Sequence, residues 1–207
     1  MDKQSYLSSM VWIHHMFFAD AFAKHELRIE SECIRDLVDQ ISSKLCNTSS
    51  SLEKVKCLLK MEINDVRIVG IWGMGGVGKT TIARAIFDTI SSQFDGACFL
   101  ADIKEYKDGM HSLQNILLSE LLRGEKSHVN NKIDGRHLIS RRLRVMKVLV
   151  VLDDINHEDH MEYLAGDLRW FGNGSRIIAT TRNKHLIGKN DVVYEVTTSV
   201  EHERGSG

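Results

Sequence analysis

Eight residues, Gly73-Met74-Gly75-Gly76-Val77-Gly78-Lys79-Thr80, restrict the fold of this chain more than any other segment. They fit the pattern GxxxxGK[ST] and are followed by Thr81. Such a turn works in one setting, between a buried strand and the first turn of a helix. The glycines let the backbone aim several N–H groups inward and leave room for phosphate oxygens. A helix starting near Lys79 points the positive end of its dipole at the same place. Lys79 supplies a cation for the β- and γ-phosphates of a nucleoside triphosphate, and the Thr80 hydroxyl is placed to ligate magnesium. The flanks meet the requirement. Val66–Trp72 reads as a buried strand, and Lys79–Ser91 as a helix with Ile82, Ile86 and Ile90 on one stripe.

Downstream, strands and helices alternate. Ala97–Leu100, Val148–Leu152, Arg176–Thr180 and Val192–Val196 read as strands. Leu113–Leu122, His137–Arg144 and Glu158–Ala165 read as helices. The apolar run Val148–Leu152 suits a strand covered on both faces. Alternation of this kind implies an α/β fold, a parallel sheet with helices on both faces. Upstream, Ile34, Leu37, Val38, Ile41 and Leu45 fall at helical spacing after a capping Ser31. Asn47–Ser51 reads as a polar linker, and Leu52, Val55, Leu58 and Leu59 as a second short amphipathic helix.

Two further segments bear on chemistry. Val148–Leu152 runs directly into Asp153-Asp154. A carboxylate at the C-terminal edge of a parallel strand faces the ligand crevice, so Asp153 suits magnesium and Asp154 suits orienting or deprotonating a water. The same residues also read as a strand end followed by a helix cap; the phosphate-loop pattern upstream favours the functional reading. Gly174–Arg182 is a strand ending in Thr180-Thr181-Arg182. Arg182 at that sheet edge could meet a γ-phosphate; taken alone, a surface arginine in a loop is the better reading. His157 and His160 suit a solvated helix face better than a metal site, and so does the basic run Arg141, Arg142, Arg144 and Lys147 better than a nucleic-acid patch. Trp170 and Phe171 read as packing residues beside a turn.

Composition narrows the classes. With 207 residues, 43% hydrophobic, the chain is long enough for a globular core plus an appendage. A formal net charge of −1 gives no field toward nucleic acid or an anionic membrane. Met10–Ala23 is too short and too interrupted to span a bilayer or serve as a signal peptide. Cys33, Cys46, Cys57 and Cys98 lack CxxC spacing and read as buried free thiols in a reducing compartment. The expectation is a soluble intracellular protein, cytoplasmic with the nucleus as alternative. Proline is absent, where about ten would be average, which hints at a fragment.

Together, Gly70–Thr81, Phe94–Leu100, Val148–Asp154 and Gly174–Arg182 come in an order that resembles plant intracellular immune receptors of the nucleotide-binding, leucine-rich-repeat kind, in the class with a TIR domain. The resemblance runs from about Cys33 to Glu195. It implies a P-loop NTPase three-layer sandwich with strand order 5-1-4-3-2, preceded by short helices. It implies a switch, off with ADP and on with ATP and magnesium. It implies that Gly73, Gly75, Gly76, Val77, Gly78, Lys79, Thr80, Thr81 and Arg182 hold nucleotide, with Thr80 and Asp153 on magnesium, Asp154 in hydrolysis and Arg182 as the γ-phosphate sensor.

The sequence departs from that family in three places. Of a TIR domain, only Phe18–Glu26 resembles an end piece. A Val-Gly motif that helps hold adenine is missing where Leu45-Cys46-Asn47 passes to Ser51-Leu52-Glu53-Lys54, as though about a dozen residues were deleted. After Val196 the tail drifts, and the helical subdomains and repeats of the family do not follow. The resulting division is 1–30 unassigned, 31–61 helical linker, 62–200 nucleotide-binding (NB-ARC) domain and 201–207 tail. The expectation is a truncated STAND-type ATPase module that binds nucleotide weakly and hydrolyses slowly at most. The alternative is a non-catalytic fragment that self-associates or modulates full-length receptors.

Overall fold

Five strands, all parallel, form one sheet in the order β2-β3-β4-β1-β5, which is the expected order read from the other edge. The computed structural model describes residues 49–106, 108–123, 128–188 and 191–197. The helix expected from Ser31 and the segment 1–30 lie outside the described residues. The strands are β1 (Arg67–Trp72), β2 (Gly96–Leu100), β3 (Val148–Ile155), β4 (Arg176–Thr181) and β5 (Val192–Glu195). The helices are α1 (49–59), α2 (Lys79–Ile90), α3 (Met110–Leu121), α4 (Lys132–Arg142) and α5 (Glu158–Ala165).

The sheet separates two apolar layers. On one face Ile82, Ile86 and Ile90 of α2 and Val55 and Leu59 of α1 pack with Val69, Ile71, Leu149, Val151 and Ile178. On the other, Leu113, Leu117, Leu118 and Leu121 of α3, Ile139 of α4 and Leu164 of α5 pack with Val148, Val150, Leu152 and Ile177. Alternate residues of β3 and β4 thus enter opposite layers, and both strands are buried almost throughout, which for β3 is what its apolar run suggested. Trp170 and Phe171 are core residues.

The structure corrects several local expectations. Residues 49–51, expected in a linker, are helical; the Ser51 hydroxyl meets Tyr194 Oη at 3.0 Å. Helix α4 begins at Lys132, before His137, because the Asn131 side chain accepts from the Ile133 and Asp134 N–H groups. Cys98 is a buried free thiol, as expected, but Cys57 is free and exposed on α1. Strand β3 runs on past Leu152 to Ile155.

That extension shapes the C-terminal edge of the sheet. Leu152 pairs with Ala179 and Ile155 with Thr181, so Asp153 and Asp154 together stand opposite Thr180. This is a β-bulge, with one extra residue on β3. Asp154 takes the left-handed conformation there, φ 58°. Aspartate tolerates that region better than most residues, at a cost of about 1 kcal/mol.

Candidate functional site

The phosphate-loop pattern forms a turn between β1 and α2. Gly76 (φ 80°) and Gly78 (φ 92°) are left-handed, and a Cβ at either would meet no atom within 4 Å. Glycine is therefore required there by backbone conformation, while the space above the loop stays open. Gly78 immediately precedes α2, whose first residues are Lys79, Thr80 and Thr81. The free N–H groups of that first turn lie at the loop.

An open cleft of about 260 Å³ lies against this turn, lined by Gly76, Gly78, Lys79, Thr80, Thr81, Asp154, Thr180 and Arg182. Six of the nine residues expected to hold nucleotide line it, along with Asp154. Gly73 accepts a hydrogen bond on its carbonyl from Lys79 Nζ at 2.9 Å, and the Met74 carbonyl accepts a second at 2.7 Å. Gly75 lies beneath the Arg182 guanidinium. Val77 turns its side chain into the core beneath α2, so its contribution to the loop is backbone.

Asp153 is 1% exposed and does not line the cleft. It accepts from Thr80 Oγ1 on both carboxylate oxygens (3.0 and 3.1 Å) and from Thr180 Oγ1 at 2.6 Å. The Thr180 hydroxyl in turn accepts from the Asp154 N–H at 2.8 Å. One hydroxyl on β4 therefore fixes both acidic residues of the bulge. Asp154 faces the cleft; Lys104 Nζ contacts its Oδ2 and Arg182 Nε lies 3.9 Å from its Oδ1. Burial lowers the Lys79 pKa from its ordinary value; Asp154 and Asp153 oppose that shift, while Arg182 and Lys104 add to it. A lysine displaced in this direction gains when an anion arrives.

Two of these residues had no assigned role in the sequence. Thr180 sits in a segment already marked as polar, and its pairing with the bulge was the signal available only in three dimensions. Lys104 lies in a short turn after β2 with no motif around it. His157, taken as a helix-face residue, caps α5 by accepting from Asp159 N–H at 3.1 Å.

Residues 36–203 match the NB-ARC domain. The chain belongs to the NB-ARC family. Among similar proteins, this NB-ARC chain is 64% identical to TMV resistance protein N of Nicotiana glutinosa over 194 residues, 85% of this chain and 17% of that protein. It is 38% identical to disease resistance protein RUN1 of Vitis rotundifolia over 183 residues, 81% of this chain and 14% of that one. The chain thus spans less than a fifth of either relative. Among solved structures, Cdc6p from Pyrobaculum aerophilum superposes with a TM-score of 0.58 at 13% identity, over 72% of this chain and 45% of that one. That likeness shows the P-loop NTPase fold of the NB-ARC module. No helix among the described residues is long and apolar enough to cross a membrane.

Proposed function

We propose that this NB-ARC module binds ADP and ATP with magnesium in the cleft above Gly73–Thr81 and serves as the nucleotide switch of a plant innate immune receptor, with hydrolysis slow at most. The observation that carries this reading is the convergence of Lys79, Thr80, Asp154 and Arg182 on one cleft at the C-terminal sheet edge, with buried Asp153 hydrogen-bonded to Thr80 behind it. Disease resistance proteins are the relatives, which supports the receptor setting.

The residues fit the ligand. Two left-handed glycines hold the loop open, and Lys79 already rests on the Gly73 and Met74 carbonyls with its ammonium in the turn. Thr80 and Asp153 offer oxygen donors facing each other at 3.0 Å, a set suited to a hard divalent cation. Magnesium, when bound, neutralises charge on the terminal phosphates. Lys79 holds the β- and γ-phosphates as a point charge. Asp154, on the cleft wall, orients a water and accepts its proton. Arg182, exposed beside Gly75 and 3.9 Å from Asp154, would meet a γ-phosphate by turning from that carboxylate. The missing Val-Gly motif points to a weak grip on adenine.

Calorimetric titration with ADP and ATP in magnesium tests the reading. Wild type is expected to bind both, and Lys79→Ala to lose binding at least about 100-fold, close to 3 kcal/mol. Absence of binding by wild type would sink the proposal.

A further inference from the structure

Asp154 stands between two cations. Its Oδ2 is ion-paired with Lys104 Nζ, and its Oδ1 lies 3.9 Å from Arg182 Nε. Arg182 lines the cleft, and Lys104 is not among its lining residues. Lys104 rises from the short turn Ile103–Glu105, which Ile103, 1% exposed, anchors in the core. Its side chain is 26% exposed. Arg182 keeps 61% of its side chain exposed and rests over Gly75, where a Cβ would come within 3.2 Å of its Nη1. One carboxylate is thus shared by a largely buried cation, which also lies 3.9 Å from Glu105 Oε1, and an exposed one.

We propose that Lys104 is a positioning residue that lets Arg182 tell a nucleoside triphosphate from a diphosphate. The inference rests on the nucleotide-binding reading above. For Arg182 to meet a terminal phosphate it must leave Asp154, whose side chain is only 16% exposed. A carboxylate that sheltered is costly to leave unpaired, far more so than one at an open surface. Lys104 keeps Asp154 paired after Arg182 departs. Without Lys104, Asp154 competes with the terminal phosphate for Arg182. The triphosphate then loses affinity that the diphosphate, which draws less on Arg182, retains.

The test measures Kd for ADP and for a non-hydrolysable ATP analogue, both with magnesium. The proteins are wild type, Lys104→Met, Lys104→Arg, Asp154→Asn and the double variant Lys104→Met/Asp154→Asn. Lys104→Met is expected to lower the preference for the analogue over ADP about fivefold, and Lys104→Arg to restore it. In the Asp154→Asn background the Lys104→Met change is expected to leave the preference unaltered, because no carboxylate remains to compete. A loss that persists in that background means Lys104 attracts the terminal phosphate directly, and it overturns the proposal. So does an unchanged preference in Lys104→Met. If Lys104→Met fails to fold, Lys104→Gln takes its place in the same cycle: a lowered preference that vanishes in the Asp154→Asn background is expected, and an unchanged preference refutes the idea. A wild type that binds neither nucleotide removes the nucleotide reading itself, whereas binding without the shift removes only the role of Lys104.

Discussion

Arg176 and Thr180 show how much one polar side chain can hold. Arg176, at the start of β4, is 1% exposed. Its guanidinium donates to the carbonyls of Leu59, Lys60, Ile63, Asp65 and Ser175, tying the end of α1 and the approach to β1 onto β4. Burial lowers its pKa, with Asp65 opposing, yet a guanidinium stays charged throughout the working range. Arg176→Leu strands those carbonyls, so a loss of about 3–5 kcal/mol is expected in urea unfolding. Thr180→Val keeps shape and removes the hydroxyl that holds both Asp153 and the Asp154 N–H. It is expected to cost about 1–3 kcal/mol by the same measurement and to weaken the magnesium dependence of ATP binding. A variant as stable as wild type would mean that the bulge does not depend on that hydroxyl.

At the scale of elements, three helices on one face of the sheet meet through a glutamine. Gln114 of α3 is fully buried, and its Nε2 donates to the Lys132 and Tyr163 carbonyls, both at 3.0 Å. Gly135 in the second turn of α4 makes room for it: a Cβ there would stand 1.9 Å from Gln114 Oε1. Helix propensity alone says Gly135→Ala should stabilise by about 1 kcal/mol. Because Gln114 is held by two hydrogen bonds and cannot retreat, overpacking wins, and a net loss of about 1–2 kcal/mol is expected. A raised melting temperature would show that α4 can shift. At the start of the same helix, Asn131→Ala removes a cap and is expected to cost about 1 kcal/mol.

Across the whole module, the sheet edge that carries the cleft also sets its response to ligand and pH. Binding restricted to the folded form stabilises it by about 2.7 kcal/mol at a hundredfold excess over Kd, so the melting temperature rises with nucleotide concentration. A scan in ADP and magnesium should show this for wild type and not for Lys79→Ala. His160 gives the pH response. Burial, aided by His157 and opposed by Asp159, holds its pKa below the ordinary value, and its Nδ1 accepts from the Asn156 N–H. The unfolded chain therefore takes up this proton before the folded one as pH falls through about 6.5, and stability drops on that side. Between about pH 7.5 and about pH 5.5, wild type should lose more melting temperature than His160→Gln. Equal losses would place the acid sensitivity elsewhere.

The sequence by itself determined the parts that rest on local rules. The spacing of Ile82, Ile86 and Ile90 sets a helix face, and the run Val148–Leu152 suits a strand buried on both sides. The glycines at 76 and 78 mark left-handed backbone beside Lys79 and Thr80. Periodicity and backbone sterics act over a few residues, so they can be read along the chain. The tertiary structure decided what depends on partners far away in sequence. Asp153 lies 73 positions from Thr80, and Arg176 is 117 from Leu59. The bulge that presents two carboxylates to one threonine arises from the register between β3 and β4, which neither strand encodes alone. Lys104 meets Asp154 only because β2 and β3 lie side by side in the sheet. Hydrogen bonds and ion pairs of this kind depend on distance in space, and only the packed sheet fixes that distance.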